Sequence, residues 1–355
     1  MAQRIKLVLL FGGRSAEHEV SIISALSIYK NLDKKKYTTS CIYIDKKGLW
    51  KVVDSPLVPR SDLDEGKCFT FLPWGNTNPS LLLDAEIYFP VLHGPFGEDG
   101  TIQGLFEMAD VPYVGATVLA SATGMDKSIA KSLFQNEQLP VVKHLVLLEI
   151  PWKERADKII DRIHREFPFP FFVKPSNLGS SVGITKVTKR EQIESAIRTA
   201  FQFDTKILIE QGIMGREIEC SVLGNADPQA SLPGEIIPHG DFYDYKDKYI
   251  DGKTSFKIPA DLPQDITEKI QSIAIKAFRA IDCSGMARVD FFLQEETERI
   301  FLNEINTIPG FTEISMYPKL WEVSGLPYPK LLDRLIDFGL EKHKNIKRKG
   351  ALFKS

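Results

Sequence analysis

The 355-residue chain sets 45 lysines and arginines against 47 aspartates and glutamates, a formal net charge of -2, with 43% hydrophobic residues. The near-neutral balance gives no electrostatic case for a nucleic-acid or membrane-surface partner, and the apolar content supports real cores in two or three domains. Cys41, Cys68, Cys220 and Cys283 are scattered with no CxxC pair, which points to reduced structural thiols and a cytoplasmic setting.

The apolar run 5–11 is short, interrupted by Lys6, and meets Gly12-Gly13 instead of a cleavage site. It reads as a first strand, neither signal peptide nor membrane span. The turn leads into a helix with Ile22, Leu26 and Tyr29 at helical spacing. Such a unit presents backbone N–H groups and a helix N-terminus to a ligand, with Glu17 in the first turn as a dipole-offsetting acid. A strand follows over 38–44, then an elaboration over 54–79 rich in Pro, Ser and Asp that receives no role.

The run 87–92 ends at His93-Gly94-Pro95-Phe96-Gly97-Glu98-Asp99-Gly100, followed by a helix from about Thr101. Three glycines and two acids after a buried-looking strand mark the ligand-facing end of an open α/β sheet. His93 at the strand's carboxyl end is a candidate site residue, with a capping or core histidine as the alternative. A short strand is expected over 111–115, a first domain ending near Thr117, and a helix opening at Met125-Asp126-Lys127-Ser128 and reaching about Gln138.

Then come a strand (144–148), a charged helix (151–166) and a strand (170–175) carrying Lys174 at its end. The loop Ser176-Asn177-Leu178-Gly179-Ser180-Ser181-Val182-Gly183 is suited to folding over phosphates through its N–H groups. No Gly-Lys-Ser/Thr or helix follows, so it is not a Walker A loop, and a plain flexible hairpin competes with the phosphate reading. Lys127 and Lys174 flank it. A strand (184–187), a helix (191–203) and a strand (207–210) lead to a linker, 210–217, whose Gln211 and backbone groups suit an adenine edge and whose Glu217 suits ribose hydroxyls.

The stretch 238–257 holds Tyr243, Tyr245, Lys248 and Tyr249 with little apolar periodicity, as in a lid or binding loop. A helix is expected over 263–281 and another over 328–340, with the Lys/Arg-rich tail after Glu341 solvated and mobile. Between those helices, 285–310 reads as a β-hairpin, with runs 288–293 and 300–306 about a polar turn. Alternation puts Arg288 and Asp290 on one side, and Glu304 and Asn306 on one side of the partner strand. Two carboxylates and an amide oxygen are hard ligands suited to Mg²⁺, while a solvated polar face is the alternative.

In chain order, GGRSAEHEVS, HGPFGEDGTIQG, MDKS, FVKPSNLGSSVG, YDYKDKY, ARVDFFL and NEINTIPGFTEISMYP make the sequence resemble the D-alanine:D-alanine ligases of the ATP-grasp superfamily. The resemblance implies a three-domain α/β fold (1–117, 118–210 and 211–355), with an open α/β N-terminal domain and ATP between the central and C-terminal domains. It implies ligation of two D-alanines through D-alanyl phosphate, in the cytoplasm, by a homodimer with no nucleic-acid or membrane partner. Asp290, Glu304 and Asn306 would bind Mg²⁺ or Mn²⁺, two ions being expected, and Lys127, Lys174 and Ser181 the phosphates. Glu210, Gln211, Ile213 and Glu217 match nucleotide positions, Gln211 departing from the lysine common in relatives.

The resemblance further implies that Glu17 holds the first D-alanine's ammonium, with His93 near its carboxylate. Lys248, Ser315 and Met316 would face the second carboxylate, Ser180 and Tyr249 would join the glycine-rich loop to the lid, and Arg288 with the Gly310 N–H would stabilise an oxyanion. Another ATP-grasp ligase should lack HGPFGEDG and the Tyr-Lys lid. A depsipeptide-forming relative would share most motifs but is disfavoured by the lid sequence, and a non-catalytic nucleotide-binding module would lack metal ligands.

Overall fold

The computed structural model describes residues 3–57, 63–69, 85–179, 182–237, 255–294 and 296–350, the backbone alone at 67–69 and 348–350. Its first sheet is built on β1 (Ile5–Gly12), which is flanked in parallel by β2 (Tyr37–Ile44) and β5 (Ile87–Val91) and extended antiparallel by β3 (Trp50–Val53) and β4 (Lys67–Phe69). The near-continuous apolar run of β1 suits a strand covered on both faces. Leu7, Leu9 and Phe11 pack toward α1 (His18–Asn31), and Val8 and Leu10 toward α2 (Thr101–Met108).

Ile22 and Tyr29 of α1 pack against the core, and the fully buried side of the helix carries Ser21, Ser24, Ala25 and Ile28 beside them. The serines are buried because they have partners. Ser21 accepts from the Gly12 N–H at 2.7 Å and donates to the Val91 carbonyl. The expected strand 111–115 contributes one bridge, Tyr113 to Tyr88, and an unforeseen helix, α3 (Val118–Met125), precedes α4 (Lys127–Asn136).

The second sheet runs β6-β9-β7-β8, with β6 (His144–Leu148), β7 (Phe171–Pro175), β8 (Thr185–Val187) and β9 (Lys206–Gln211), packed on α5 (Glu149–Glu166) and α6 (Ile193–Ala200). The third is antiparallel. Along β13-β12-β10-β14-β15 it comprises β10 (Arg216–Gly224), β12 (Gly234–Ile237), β13 (Ser255–Lys257), β14 (Gly285–Gln294) and β15 (Arg299–Asn306), with β11 (Gln229–Ala230) beside β10. The last three residues of the expected 238–257 loop are thus an edge strand, and α7 (Gln264–Ala280) covers the sheet.

After α8 (Met316–Val323), the last helix, α9, spans Tyr328–Gly350, ten residues past the expected end of the helix. Residues 342–350 continue this helix, and its first turn there is docked. Lys342 Nζ lies 3.8 Å from the Tyr113 ring centroid and donates to the Gly115 carbonyl at 2.7 Å, and His343 and Lys347 reach Asp110. Upstream, Leu331, Leu332, Leu335 and Ile336 join Leu7, Phe11 and Ile28 in one core. Cys41, Cys220 and Cys283 are buried free thiols, and no helix among the described residues is long and apolar enough to cross a membrane.

Candidate active site

The β14–β15 hairpin pairs Arg288 with Asn306 and Asp290 with Glu304, so the alternation expected from sequence brings the four polar side chains to one face. A bulge then shifts the register: Phe291 pairs with Leu302, leaving Asn303 as the extra residue. Arg288 binds Asp290 through both Nε and Nη2, and Asn306 Nδ2 donates to Asp290 Oδ2 at 3.0 Å. Sequence reasoning missed Glu219. It pairs with Asp290 from β10, is buried, and sits 3.1 Å from Arg288 Nε. Its signal was present in the alternation Glu217, Glu219, Ser221.

Asp290, Glu304 and Asn306 offer oxygen donors and no sulfur or imidazole, a set that fits a hard divalent cation whose remaining ligands come from phosphate and water. Among the described residues no three His, Cys, Asp or Glu side chains gather into a metal cluster. Asp290 and Glu304 line a cavity of about 370 Å³ together with Lys127, Lys174 and Glu210. Gln211, Ile213 and Glu217 line it too, with the aromatic side chains of Phe172 and Phe292. The central and C-terminal sheets form its walls, so the residues assigned to nucleotide converge from separate elements.

Helix α4 aims two lysines into this region. Asp126 caps it, accepting from the N–H groups of Ser128 and Ile129, and is also bound by Ser176 and Lys206. Burial would raise the Asp126 pKa, but these partners lower it to about 2. Lys127 Nζ then reaches the Leu178 carbonyl at 2.7 Å and Glu304 Oε2 at 3.3 Å, joining the glycine-rich loop to the hairpin. Lys174 Nζ lies 2.5 Å from Glu210 Oε1, while Lys131, which sequence reasoning did not single out, lies 2.9 Å from Oε2. Burial would raise the Glu210 pKa, yet the two lysines bring it down to about 2.

The end of the first sheet closes the other side. Glu17, at the N-cap of α1, lies so near Gly94 that a Cβ there would sit 2.7 Å from Oε2, and one on Gly179 3.3 Å away. This carboxylate therefore stands between the HGPFGEDG turn and the glycine-rich loop. His93 is tied into the protein at both ring nitrogens: Nδ1 bonds the Ile308 carbonyl at 3.1 Å, and Nε2 bonds Ser24 Oγ at 3.1 Å. Burial lowers its pKa, and a neutral ring with both nitrogens engaged holds the loop after β15 in place.

Glu98, also missed, accepts from the Gly94 N–H at 2.7 Å and from the Ile308 backbone. Burial first, and Glu17 second, push its pKa up to about 8. Gly310 and Ser315 are adjacent, a Cβ on Gly310 meeting Ser315 Oγ at 2.7 Å, and Ser315 Oγ bonds Thr312. The Met316 side chain packs with Ile236 and Leu320, which leaves its backbone at the start of α8 beside Ser315. Ser180, Ser181, Lys248 and Tyr249, with the rest of 238–254, lie outside the described residues.

Two antiparallel sheets enclosing a lysine- and acid-lined cavity beside an open α/β domain define an ATP-grasp architecture. The chain matches the family models described as D-ala D-ala ligase N-terminus, over residues 6–116, and D-ala D-ala ligase C-terminus, over residues 133–337. A D-alanine–D-alanine ligase from Acetivibrio thermocellus is 47% identical, covering 97% of this chain and 98% of the relative, and one from Solibacter usitatus is 48% identical, covering 96% and 97%. Among solved structures, the D-alanine-D-alanine ligase from Coxiella burnetii superposes with a TM-score of 0.87 at 39% identity, covering 99% of each chain. The VanG D-Ala:D-Ser ligase from Enterococcus faecalis gives 0.83 at 34%, covering 95% of this chain and 100% of that one. The chain belongs to the D-alanine–D-alanine ligase family.

Proposed function

We propose that this chain joins two D-alanines into D-alanyl-D-alanine for peptidoglycan precursor synthesis, consuming ATP and releasing ADP and phosphate. The observation that carries the reading is the meeting of three separate groups at one place: the Arg288–Asp290–Glu304–Asn306 face, the Lys127 and Lys174 ammoniums, and the Glu17 carboxylate. A carboxylate is a poor electrophile, so amide formation needs activation. Transfer of the γ-phosphoryl group to the first D-alanine's carboxylate oxygen forms an acyl phosphate and leaves ADP. Mg²⁺ or Mn²⁺ bound by Asp290, Glu304 and Asn306, as one or two ions, would neutralise developing phosphate charge.

The protein's own groups do the rest. Lys127 and Lys174 spread charge on the transferring phosphoryl group. Glu17 holds the first ammonium away from reaction, at the junction of the turn and the glycine-rich loop. The second D-alanine attacks as a neutral amine, with its carboxylate held by Lys248, Ser315 and the Met316 backbone. The tetrahedral oxyanion takes hydrogen bonds from Arg288 and the Gly310 N–H, which stabilise it more than the carbonyl it came from. Phosphate then leaves. Ser180, Ser181 and Tyr249 tie the loop and lid over this step, and Glu210, Gln211, Ile213 and Glu217 seat the nucleotide.

The same proposal includes the domain division 1–117, 118–210 and 211–355, a homodimer, and a cytoplasmic setting where ATP is supplied. The test is phosphate release from ATP and Mg²⁺ with D-alanine, D-serine and D-lactate in turn, with product masses recorded. D-alanyl-D-alanine as the dominant product at pH 8 is the expected outcome, and preferential formation of a mixed dipeptide or an ester would refute the substrate assignment.

A further inference from the structure

Beneath the cavity lies a buried cation that the reaction above does not use. Lys131, on the inner side of α4, is 1% exposed, and its ammonium sits 2.9 Å from Glu210 Oε2 and donates to the Asn303 carbonyl at 3.0 Å. Glu210 also receives Lys174 on its other oxygen. One buried carboxylate thus faces two ammonium groups beside the cavity, with Glu304 the next acid to act on Lys131, an arrangement that is costly unless the charges are held in register. Packing alone would be better served by an apolar side chain, as at the neighbouring buried positions Ala130 and Phe134.

The second contact gives the cation its purpose. Asn303 is the extra residue of the β15 bulge and immediately precedes Glu304, whose carboxylate faces the cavity. Lys131 therefore grips, with one ammonium, the acid that orients Lys174 and the backbone that orients Glu304. We propose that Lys131 is a positioning residue that couples the phosphate-facing Lys174–Glu210 pair to the cation-facing Glu304, so that nucleotide and divalent cation bind as a unit. This rests on the nucleotide reading given above.

Isothermal titration calorimetry with ADP, with and without Mg²⁺, on the full chain and on Lys131→Met and Lys131→Gln tests it. The parent is expected to bind ADP more tightly with Mg²⁺. Folded variants are expected to bind ADP with Mg²⁺ at least ~10-fold more weakly and to lose most of the Mg²⁺ enhancement, a coupling loss of ordinary size between linked sites. Their KM for D-alanine should stay within about twofold, because the first substrate's carboxylate and ammonium contacts are elsewhere. A purely structural lysine would lower Tm while leaving the Mg²⁺ enhancement intact, and that result overturns the proposal. Lys131→Gln, which keeps a donor for Asn303, carries the test if Lys131→Met unfolds. A parent whose ADP affinity ignores Mg²⁺ overturns it too, and a parent that binds no ADP overturns the nucleotide reading with it.

Discussion

Arg288 and Asp290 grip each other from the same strand, both N···O distances being 2.7 Å, and Glu219 approaches the guanidinium from the next strand at 3.1 Å. Burial would lower the arginine's pKa, but the two acids raise it well above its usual value, so Arg288 is a permanent cation between the buried Glu219 and the partly buried Asp290. Replacing it with methionine leaves those acids facing each other. Arg288→Met is expected to lose on the order of 3 kcal/mol of stability in EDTA, the scale of breaking a buried pair, and to regain part of it in Mg²⁺. Urea unfolding in both conditions decides; equal stability of parent and variant in EDTA refutes the charge-balance account.

Glu304 stands across the strand pair from Asp290 and 3.3 Å from Lys127. Glu304→Gln keeps the shape but removes charge where phosphate charge accumulates, so turnover should fall at least ~10²-fold, as for loss of one electrostatic stabiliser. Near-parental thermal unfolding is expected alongside. Near-normal phosphate release at saturating Mg²⁺ would remove Glu304 from the cation site.

Glu98 has a pKa raised to about 8, by burial and then by Glu17, against an ordinary 4.5. The folded state therefore binds a proton that the unfolded state releases between those values. Its contribution to stability is full below about pH 4.5 and is lost as pH rises through 8. Comparing Tm against pH for parent and Glu98→Gln should show a flatter curve over this window in the variant. Parallel curves would mean that Glu98 is ionised in the folded protein.

Lys342 has the opposite sign. Burial lowers its pKa from 10.5 to about 7, so between these values the unfolded state holds the extra proton and stability rises with pH. Lys342→Met should remove that rise and also forfeit the hydrogen bond to the Gly115 carbonyl. If the difference in Tm between the two proteins is the same at pH 6.5 and pH 10, the amine is not the titrating group.

The hairpin was legible because a period of two, with apolar residues on the other face, leaves few ways to place Arg288, Asp290, Glu304 and Asn306. The bulge at Asn303 was not, since an extra residue leaves no mark on composition. Glu98 and Lys131 escaped for another reason: their importance lies in contacts with residues distant in sequence, Ile308 and Asn303. The serines on the buried side of α1 were not legible, because Ser21 and Ser24 bury themselves through hydrogen bonds, to which a search for apolar spacing is blind. The helical tail was hidden by its own lysines, one of which turns inward over Tyr113.

The seating of Leu331, Leu332, Leu335 and Ile336 against Leu7, Phe11 and Ile28 sets a schedule for synthesis. The first sheet emerges from the ribosome with part of one face bare, and the helix that covers that part is made far downstream. At ~5–20 residues per second, translation from Gly115 to Tyr328 takes on the order of 10–40 s. Through that interval α1 alone covers this side of β1, and the part that α9 will fill stays open to solvent. Emergence of α9, and not of β5, is the event that completes the N-terminal core.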